Sequence, residues 1–381
     1  MIYKNSTCVG YEVDFIGVSK ENASKDADAI CFRWKMSDDT YKIGVYDAGF
    51  QAHGKAMVQH INKYYFDDEN EDLVRDDKLI DYVFVSHPHN DHAGGIPEII
   101  ENFSIGCIYM NRPWLYTEEL LESSNSDGRT TRKSLEKELL EDFLYVSKIE
   151  KLAGEYGIEI KEAFAGTEIE DGLLKIFSPQ KDFYLEKIIE SNKTKRIRSV
   201  ADSCILTEMV KSVNFNAIES WDDETLGDDH AGTDAENETS IVLYGFKNKG
   251  GMLLTGDAGV EALSNADIQA AYDNIFIEDD VNFVEIPHHG GRHNVTTYLM
   301  DRIFGKPVGE NETPEKTAYV SVADGSDHPR KVVVNAFIRR GFKVFKTTSG
   351  VRRHREGDMP NREGFSSSTD KLIFSKWVEE W

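Results

Sequence analysis

The chain has 381 residues, 40% of them hydrophobic, and a formal net charge of −24. This length and composition are typical of one large globular domain or two modest ones. The negative charge disfavours a broad nucleic-acid surface, because phosphate binding depends on clustered Lys and Arg.

The sequence shows neither a membrane-spanning segment nor an export signal. No apolar stretch has the length of a membrane span, and the N-terminus lacks the basic start, apolar run and cleavage site of a signal peptide. The four cysteines are widely spaced, which is typical of free thiols in a reducing compartment: Cys8, Cys31, Cys107 and Cys204. We therefore expect a cytoplasmic protein without a membrane partner.

Apolar periodicity predicts strands and helices along the whole chain. In chain order we expect strands within 13–49, a helix at 56–65, a strand at 82–85, helices at 96–103 and 134–156, strands at 252–254 and 283–286, a helix at 332–340, and a late strand or packed tail at 372–377. The clearest amphipathic pattern, at 134–156, predicts one long helix.

The most informative segment is the loop that follows the predicted strand at 82–85. His87, His89, Asp91 and His92 lie there within six consecutive positions. Imidazole nitrogen and carboxylate oxygen are the donors that zinc and similar ions prefer at catalytic sites. Because closely spaced side chains point in different directions, the loop favours two metal ions over one.

Two later strands also end in metal-type donors. Asp257 follows the apolar run 252–254, and His288 and His289 follow the run 283–286. Donors this far apart in sequence could meet at one sheet edge in an α/β fold. A carboxylate at position 257 could then bridge two cations.

These segments resemble the signature of the metallo-β-lactamase superfamily: His-x-His-x-Asp-His at 87–92, Thr-Gly-Asp at 255–257 and His-His-Gly at 288–290. More narrowly, the chain is similar to the hydrolase domain of ComEC-type competence proteins. That likeness is carried by shorter segments at 13–18, 43–49, 174–179, 237–243, 319–322, 327–329 and 342–347, among which 237–243 is expected to be a strand.

The resemblance implies an α/β fold, the four-layer αβ/βα sandwich of two mixed β-sheets flanked by helices. We expect a single domain over 1–381 with a polar insertion at about 180–236. The insertion either lies over the metal site and helps to select the substrate, or is a flexible excursion.

The resemblance also implies two divalent metal ions, zinc or alternatively manganese. His87 and His89 would hold one ion. Asp91 and His92 would hold the other, and Asp257 would bridge the two.

The last ligand is expected to be His288, the first imidazole after its strand. His289 is the alternative ligand, or else a partner that orients one. Many superfamily members carry a further lone His before the bridging acid. The one candidate here is His230, which is either a ligand or a solvated loop residue.

Further residues are expected to act around the metal ions. Asp91 would accept the proton of the attacking water, and His328 would donate a proton to the substrate unless it is a packed turn residue. Asp47 either braces the ligand loop or caps its own turn. Arg292 keeps the positive charge that relatives carry as Lys. Gly291 stands where those relatives carry Ser, so it lacks a hydroxyl that could contact the substrate.

The expected function is hydrolysis by a dinuclear phosphodiesterase or nuclease, acting on a nucleotide, a short nucleic acid or a phosphorylated small molecule. Basic groups at 193–198 and at 330–353, which include Arg330, Arg339 and Arg340, are either solvated surface or a rim that guides anions. A lactonase or thioesterase is the alternative enzyme. A non-catalytic metal-binding adaptor is a third interpretation, which the intact ligands disfavour.

Overall fold

The computed structural model describes residues 7–68, 73–124, 130–191, 194, 217–228, 232–363, 365 and 370–379. Its strands are β1 (Cys8–Gly17), β2 (Ala29–Met36), β3 (Tyr41–Ala48), β4 (Leu79–Phe84), β5 (Ser104–Tyr109), β6 (Glu159–Lys161), β7 (Glu168–Ile169), β8 (Leu174–Ser178), β9 (Ala217–Ile218), β10 (Val242–Gly245), β11 (Met252–Leu254), β12 (Phe283–Glu285), β13 (Lys316–Ser321), β14 (Phe342–Thr347), β15 (Gly350–Gly357) and β16 (Trp377–Val378). Its α-helices are α1 (Gln51–Tyr64), α2 (Asn90–Ala93), α3 (Ile96–Asn102), α4 (Thr117–Ser123), α5 (Arg132–Asp142), α6 (Leu144–Tyr156), α7 (Lys181–Glu190), α8 (Ala235–Glu238), α9 (Val260–Tyr272), α10 (Ile277–Asp280), α11 (Thr297–Phe304) and α12 (Lys331–Arg339).

The strands of the described residues form two large sheets and one short ribbon. The first sheet has seven strands in the order β15-β1-β2-β3-β4-β5-β6, and the second has seven in the order β14-β13-β12-β11-β10-β8-β7. In the first sheet β3 to β6 are parallel, and in the second β11 to β14 are parallel. The remaining pairs are antiparallel, including the β9–β16 ribbon. Both large sheets are therefore mixed.

Three buried clusters show how the layers are stacked. The central cluster joins the inner faces of both sheets, where the rings of Phe15 and Phe283 lie 5.9 Å apart. A second cluster lies between the first sheet and α1, α3, α5 and α6, and a third lies between the second sheet and α9, α11 and α12. The order of layers is helix, sheet, sheet, helix. This order confirms the predicted four-layer sandwich of two mixed sheets.

The inner faces follow from the alternation of side chains along each strand. In β2, Phe32 and Trp34 face the central cluster, whereas Cys31 faces the helices. Residues 29–32 are apolar on both faces because a sheet in the middle of a four-layer fold is covered on both sides, and the outer face then continues with Arg33, which pairs with Glu12. Each large apolar side chain buried in this way stabilises the fold by about 1.5–3 kcal/mol.

The prediction of one helix at 134–156 is wrong. Two helices, α5 and α6, meet at Phe143, whose backbone torsions of φ −96° and ψ 50° are not helical. The Phe143 side chain is buried in the outer cluster of the first sheet, as are Leu139 of α5 and Val146 of α6. The change of direction lets both helices place apolar side chains on the same sheet, which periodicity alone does not reveal.

The prediction of a strand at 237–243 is wrong in its first half. Residues Ala235–Glu238 form α8, and β10 begins only at Val242. Asn237 donates a hydrogen bond from Nδ2 to Thr233 Oγ1 at 2.7 Å. This side chain therefore closes a local turn instead of extending the sheet.

The described parts of the 180–236 segment pack against the body of the protein. In α7, Tyr184 and Ile188 are buried in the outer cluster of the first sheet. Residues 192–193, 195–216 and 229–231 lie outside the described residues. The expectations of a cover over the metal site and of a basic surface at 193–198 fall mostly on those residues and stay predictions.

Candidate metal centre

The loops that carry the candidate metal ligands meet at one edge of the two packed sheets. The loop at 85–92 follows β4, the turn at 255–257 follows β11, and the turn at 288–290 follows β12. In the first sheet β4 runs parallel to its neighbours, and in the second β11 and β12 run parallel to each other. Because the carboxyl ends of parallel strands open at the same edge, donors distant in sequence come together there.

One group of donors consists of His87, His89 and Asp257, with one donor atom of each within 4.8 Å of the others. Nε2 of His87 lies 3.0 Å from Nδ1 of His89 and 3.6 Å from Oδ2 of Asp257. Nε2 of His288 lies 3.6 Å from the same carboxylate oxygen. This group is therefore rich in imidazoles.

A second group consists of Asp28, His92, Asp257 and His289, again with donor atoms within 4.8 Å of one another. Nε2 of His92 lies 3.2 Å from Oδ1 of Asp257. Nε2 of His289 lies 3.9 Å from Oδ2 of Asp91. Asp257 thus belongs to both groups, with Oδ1 near the second and Oδ2 near the first, as a bridging carboxylate requires.

Four donor atoms of the second group are buried without a hydrogen-bond partner: Asp28 Oδ2, His92 Nε2, Asp257 Oδ1 and His289 Nε2. The residues that carry them are at most 4% exposed. An unpartnered buried polar atom costs about 1–3 kcal/mol, and more when it is charged. Four such atoms at one point need a compensating partner. Carboxylate and imidazole donors suit a divalent cation, so these residues fit a metal ion.

Asp47 braces the ligand loop from behind. Its Oδ1 accepts a hydrogen bond from the backbone N–H of Ser86 at 2.7 Å, and its Oδ2 accepts one from Nδ1 of His92 at 2.8 Å. The Ser86 hydroxyl donates to Asp47, so its oxygen can accept from Nδ1 of His87 at 3.0 Å. Both imidazoles are thereby oriented with Nε2 available to a metal ion. The predicted bracing role is confirmed.

His288 and His289 are oriented by similar hydrogen bonds. Nδ1 of His289 donates to the carbonyl oxygen of Ser321 at 2.9 Å, and Nδ1 of His288 donates to Oδ1 of Asn294 at 2.9 Å. The Asn294 amide is fixed because its Nδ2 donates to the carbonyl oxygen of Asp257 at 2.9 Å. Both histidines have positive φ, 48° and 55°, which non-glycine residues seldom adopt. Such strain costs about 1–3 kcal/mol and persists where the surroundings impose it.

The crowding of buried groups changes their pKa values. Burial raises the pKa of Asp28 above its usual value. Burial opposes protonation of His289, yet the nearby carboxylates of Asp28 and Asp91 raise its pKa to about 10. In the first group, burial lowers the pKa of His87 well below its usual value, which keeps the imidazole in the neutral form that binds metals. The second group therefore attracts positive charge strongly.

Asp28 is a donor that the sequence analysis did not identify. It ends the polar loop between β1 and β2, and its backbone N–H donates to the carbonyl oxygen of Asp91 at 3.1 Å. This contact fixes the end of the β1–β2 loop against the ligand loop. A single acid in a polar loop carries no spacing signal, so only the tertiary structure reveals its position.

The turn that carries Asp257 is fixed by hydrogen bonds to the side chain of Glu285. Oε2 of Glu285 accepts hydrogen bonds from the backbone N–H groups of Thr255 at 2.7 Å and Gly256 at 3.0 Å. Gly256 has a φ of 52°, and a Cβ atom there would lie 3.0 Å from Oγ of Ser86. A glycine is therefore needed where this turn contacts the ligand loop.

His328 lies beside the metal centre on the turn that follows β13. Its Nδ1 donates to Oδ2 of Asp26 at 3.0 Å, and its ring centre is 6.5 Å from that of His288. Asp26 also accepts hydrogen bonds from Ala323 N and Ser326 Oγ, each at 2.7 Å. Burial alone would raise the pKa of Asp26, but the hydrogen bond with His328 lowers it to about 2. With Nδ1 engaged, Nε2 is the ring nitrogen of His328 that remains for proton exchange.

The expectations for Arg339 and Arg340 are both wrong. Neither side chain is solvated surface or part of a rim, because both are buried. Arg339 pairs with Glu219, and Arg340 pairs with Glu224 and Asp301. These acids lie far away in sequence, which is why the basic pattern alone did not indicate an interior position.

Three further candidates from the sequence remain: Arg292, Arg330 and His230. Arg292 donates to the carbonyl oxygen of Thr225 at 2.9 Å, so its guanidinium ties loops together. The backbone N–H of Arg330 donates to the carbonyl oxygen of Gly290 at 3.0 Å, which places this residue beside the turn of His288 and His289. His230 lies outside the described residues, and its role as a ligand stays a prediction.

A separate cluster of metal-type donors consists of Asp14, Cys31 and His60. Nε2 of His60 lies 2.9 Å from Oδ2 of Asp14, and Arg362 donates to the same oxygen at 2.7 Å. The guanidinium already supplies the positive charge that a metal ion would bring. This cluster is therefore a buried ionic network and not a candidate metal site.

One comparison with known families bears on this site. A family model described as the metallo-beta-lactamase superfamily matches residues 39–147, a stretch that contains the donor loop at 87–92 but not Asp28, Asp257 or the histidines at 288 and 289. No curated protein matches the chain. The match, the two mixed sheets and the donor groups support a metallo-β-lactamase superfamily domain, and most members of that superfamily are metal-dependent hydrolases.

Within the described parts of the chain, no helix combines the length and the apolar character that crossing a lipid bilayer requires.

Proposed function

We propose that this protein is a dinuclear metal-dependent hydrolase that cleaves phosphodiester bonds. The observation that carries the proposal is the position of Asp257 between two groups of donors, 3.6 Å from His87 through one oxygen and 3.2 Å from His92 through the other. A carboxylate shared in this way is typical of two-metal hydrolases.

The residues divide between two metal positions. His87 and His89 would hold the first ion, zinc or manganese. Asp91 and His92 would hold the second, and Asp257 would contact both. When bound, two divalent ions stabilise the charge that develops on oxygen and lower the pKa of a water molecule toward about 7.

The proton transfers fall to two residues at the open side of the site. The side chain of Asp91 is 30% exposed, whereas Asp257 is buried, so Asp91 is the carboxylate that a water molecule can reach. It would accept the proton of the attacking water. His328, with Nδ1 held by Asp26, would give a proton from Nε2 to the leaving group.

The choice of a phosphodiester rests on the similarity to the hydrolase domain of ComEC-type competence proteins. The net charge of −24 favours a nucleotide, a short nucleic acid or a phosphorylated small molecule over a long duplex. The backbone N–H of Arg330 contacts the turn that carries His288, so Arg330 would be the cation to approach such an anion.

The organisation of the chain supports the same proposal. The donors run from Asp28 to His289 and come from both large sheets, which supports a single domain over 1–381 with the insertion at 180–236. Cys8, Cys31 and Cys107 are free thiols, which supports the proposed cytoplasmic location.

Two substrate panels test the reaction class. Protein loaded with zinc or manganese should hydrolyse activated and dinucleotide phosphodiesters but not lactones or thioesters. The Asp257→Asn variant should lose this activity, and Asp358→Asn, which changes an exposed acid paired with Lys35, should retain it. Turnover of lactones or thioesters alone would contradict the phosphodiester assignment. Metal-loaded protein that hydrolyses nothing in either panel would favour an adaptor.

A further inference from the structure

The two donor groups around Asp257 differ in chemistry. The first group offers the imidazoles of His87 and His89 with a single carboxylate oxygen, and a third imidazole, that of His288, lies 3.6 Å from that oxygen. Nitrogen donors of this kind suit zinc. The first metal position is therefore a borderline-soft site.

The second group is richer in oxygen. Besides the imidazoles of His92 and His289, it contains the carboxylates of Asp28 and Asp257, with Oδ2 of Asp91 3.9 Å from Nε2 of His289. Carboxylate donors suit harder ions such as manganese and magnesium. The second group, with three carboxylates, also needs more positive charge to neutralise it than the first group, which has one.

Asp28 supplies one of the two additional carboxylates, and it is the buried one. Its Oδ2 is buried without a hydrogen-bond partner, 4.0 Å from Nε2 of His92 and 3.5 Å from Nδ1 of His289. Its backbone N–H donates to the carbonyl oxygen of Asp91 at 3.1 Å, which holds this end of the β1–β2 loop against the ligand loop. A buried carboxylate oxygen that lies among metal-type donors and has no hydrogen-bond partner is placed to bind a cation.

We propose that the two metal positions prefer different ions: the imidazole-rich position binds zinc, and the carboxylate-rich position binds a harder ion such as Mn²⁺ through Asp28. This inference rests on the proposed dinuclear centre and adds a selectivity between its positions. Zinc generally binds more tightly than manganese at any one site. The selectivity is therefore a difference in how readily zinc displaces bound manganese: zinc replaces manganese at the first position before it does so at the second.

Element-specific anomalous scattering tests this order in the wild-type protein. Crystals of protein loaded with Mn²⁺ are treated with one equivalent of Zn²⁺ and measured at both absorption edges. The zinc signal should lie beside His87 and His89, and the manganese signal should remain beside Asp28. Zinc at the second position first, or both elements shared evenly, would overturn the inference.

An Asp28→Asn variant tests the residue itself. Mn²⁺ titration followed by electron paramagnetic resonance should show binding to the second position weakened at least about tenfold, the lower end of the effect of removing a group at a metal site. Zinc content at the first position should be unchanged. The matched control is Glu21→Gln, an exposed acid on the same loop, which should bind Mn²⁺ like the wild type.

Equal Mn²⁺ affinities in Asp28→Asn and the wild type would refute the role of Asp28. If this variant does not fold, the scattering experiment on the wild-type protein decides the question. Both measurements report metal binding and not turnover. Protein that shows the expected exchange order but cleaves no phosphodiester would therefore support this inference and contradict only the proposed substrate.

Discussion

The carboxylate of Asp47 lies 2.8 Å from Nδ1 of His92, and both side chains are fully buried. The same carboxylate receives the Ser86 hydroxyl, whose oxygen lies 3.0 Å from Nδ1 of His87. One acid therefore orients an imidazole in each of the two donor groups. Such partners behind the ligands fix the tautomer and raise the basicity of the metal-binding nitrogen.

The Asp47→Asn variant should lower metal affinity by about 10–100-fold, because an amide cannot accept both hydrogen bonds as a carboxylate does. Competition with a chelator measures the change. The matched control is Asp81→Asn, which alters an acid of the same sheet that accepts from the backbone N–H of Ile43. Wild-type metal affinity in Asp47→Asn would show that the brace is unimportant for binding.

The Asp26→Asn variant should make turnover depend more strongly on the leaving group. Without the Asp26 carboxylate, His328 loses the partner that holds its Nδ1, and proton donation worth about 100-fold or more is impaired. The kcat for esters with alkoxide leaving groups should fall by about 100-fold with little change in KM, because these groups need a proton to leave. Nitrophenyl esters should keep most of their rate. Glu21→Gln changes an exposed acid on the loop that carries Asp26 and serves as the control. Equal losses on both esters would assign Asp26 a purely structural role.

Glu238 should make stability depend on pH. Its Oε2 accepts from the backbone N–H of Ala262 at 2.7 Å near the start of α9, and burial raises its pKa from 4.5 to about 7. Since the folded pKa is the higher one, the stability that Glu238 contributes is present below pH 4.5 and is lost as the pH rises through 7.

Glu238→Gln cannot ionise, so it should gain stability relative to the wild type between about pH 5 and 8, by up to about 2–3 kcal/mol. Urea unfolding of both proteins at the two ends of this range measures the gain. Glu136→Gln, on the exposed face of α5, is the matched control for the same substitution outside the core. A constant difference for Glu238→Gln would contradict the raised pKa.

The buried pair of Arg339 and Glu219 should stabilise the packing of residues 217–228, a part of the predicted insertion, against α12. Both side chains are fully buried, and Nε of Arg339 donates to the carbonyl oxygen of Trp221 at 2.9 Å. Arg339→Met should cost about 3–5 kcal/mol, because it leaves a buried carboxylate unpaired. The double variant with Glu219→Leu should recover much of this loss in denaturant unfolding. Additive losses in the double variant would mean that the pair is not coupled.

Much of the candidate site could be predicted because its donors follow strands. His87, Asp257 and His289 each come directly after an apolar run, and the carboxyl ends of the corresponding strands do meet at one edge. The four-layer sandwich was predicted from the resemblance of the donor motifs to the metallo-β-lactamase superfamily. The meeting of the donors depends on local sequence and on a general rule of sheet topology.

The parts that could not be predicted depend on tertiary contacts. Asp26 and Asp28 are ordinary acids of a polar loop until β1 and β2 pair and bring them beside His328 and His289. Whether a basic residue such as Arg339 faces water or the interior likewise depends on an acid 120 positions away in the chain.

The bridging role of Asp257 is tested most directly by metal analysis. Wild-type protein and the Asp257→Ala variant are loaded with zinc or manganese, dialysed and measured by elemental analysis, with Asp358→Asn as the control. We expect two equivalents in the wild type and the control, and less than one in Asp257→Ala, because both positions lose a shared ligand. Two equivalents retained in Asp257→Ala, or a single equivalent in the wild type, would contradict a centre of two metals bridged by this residue.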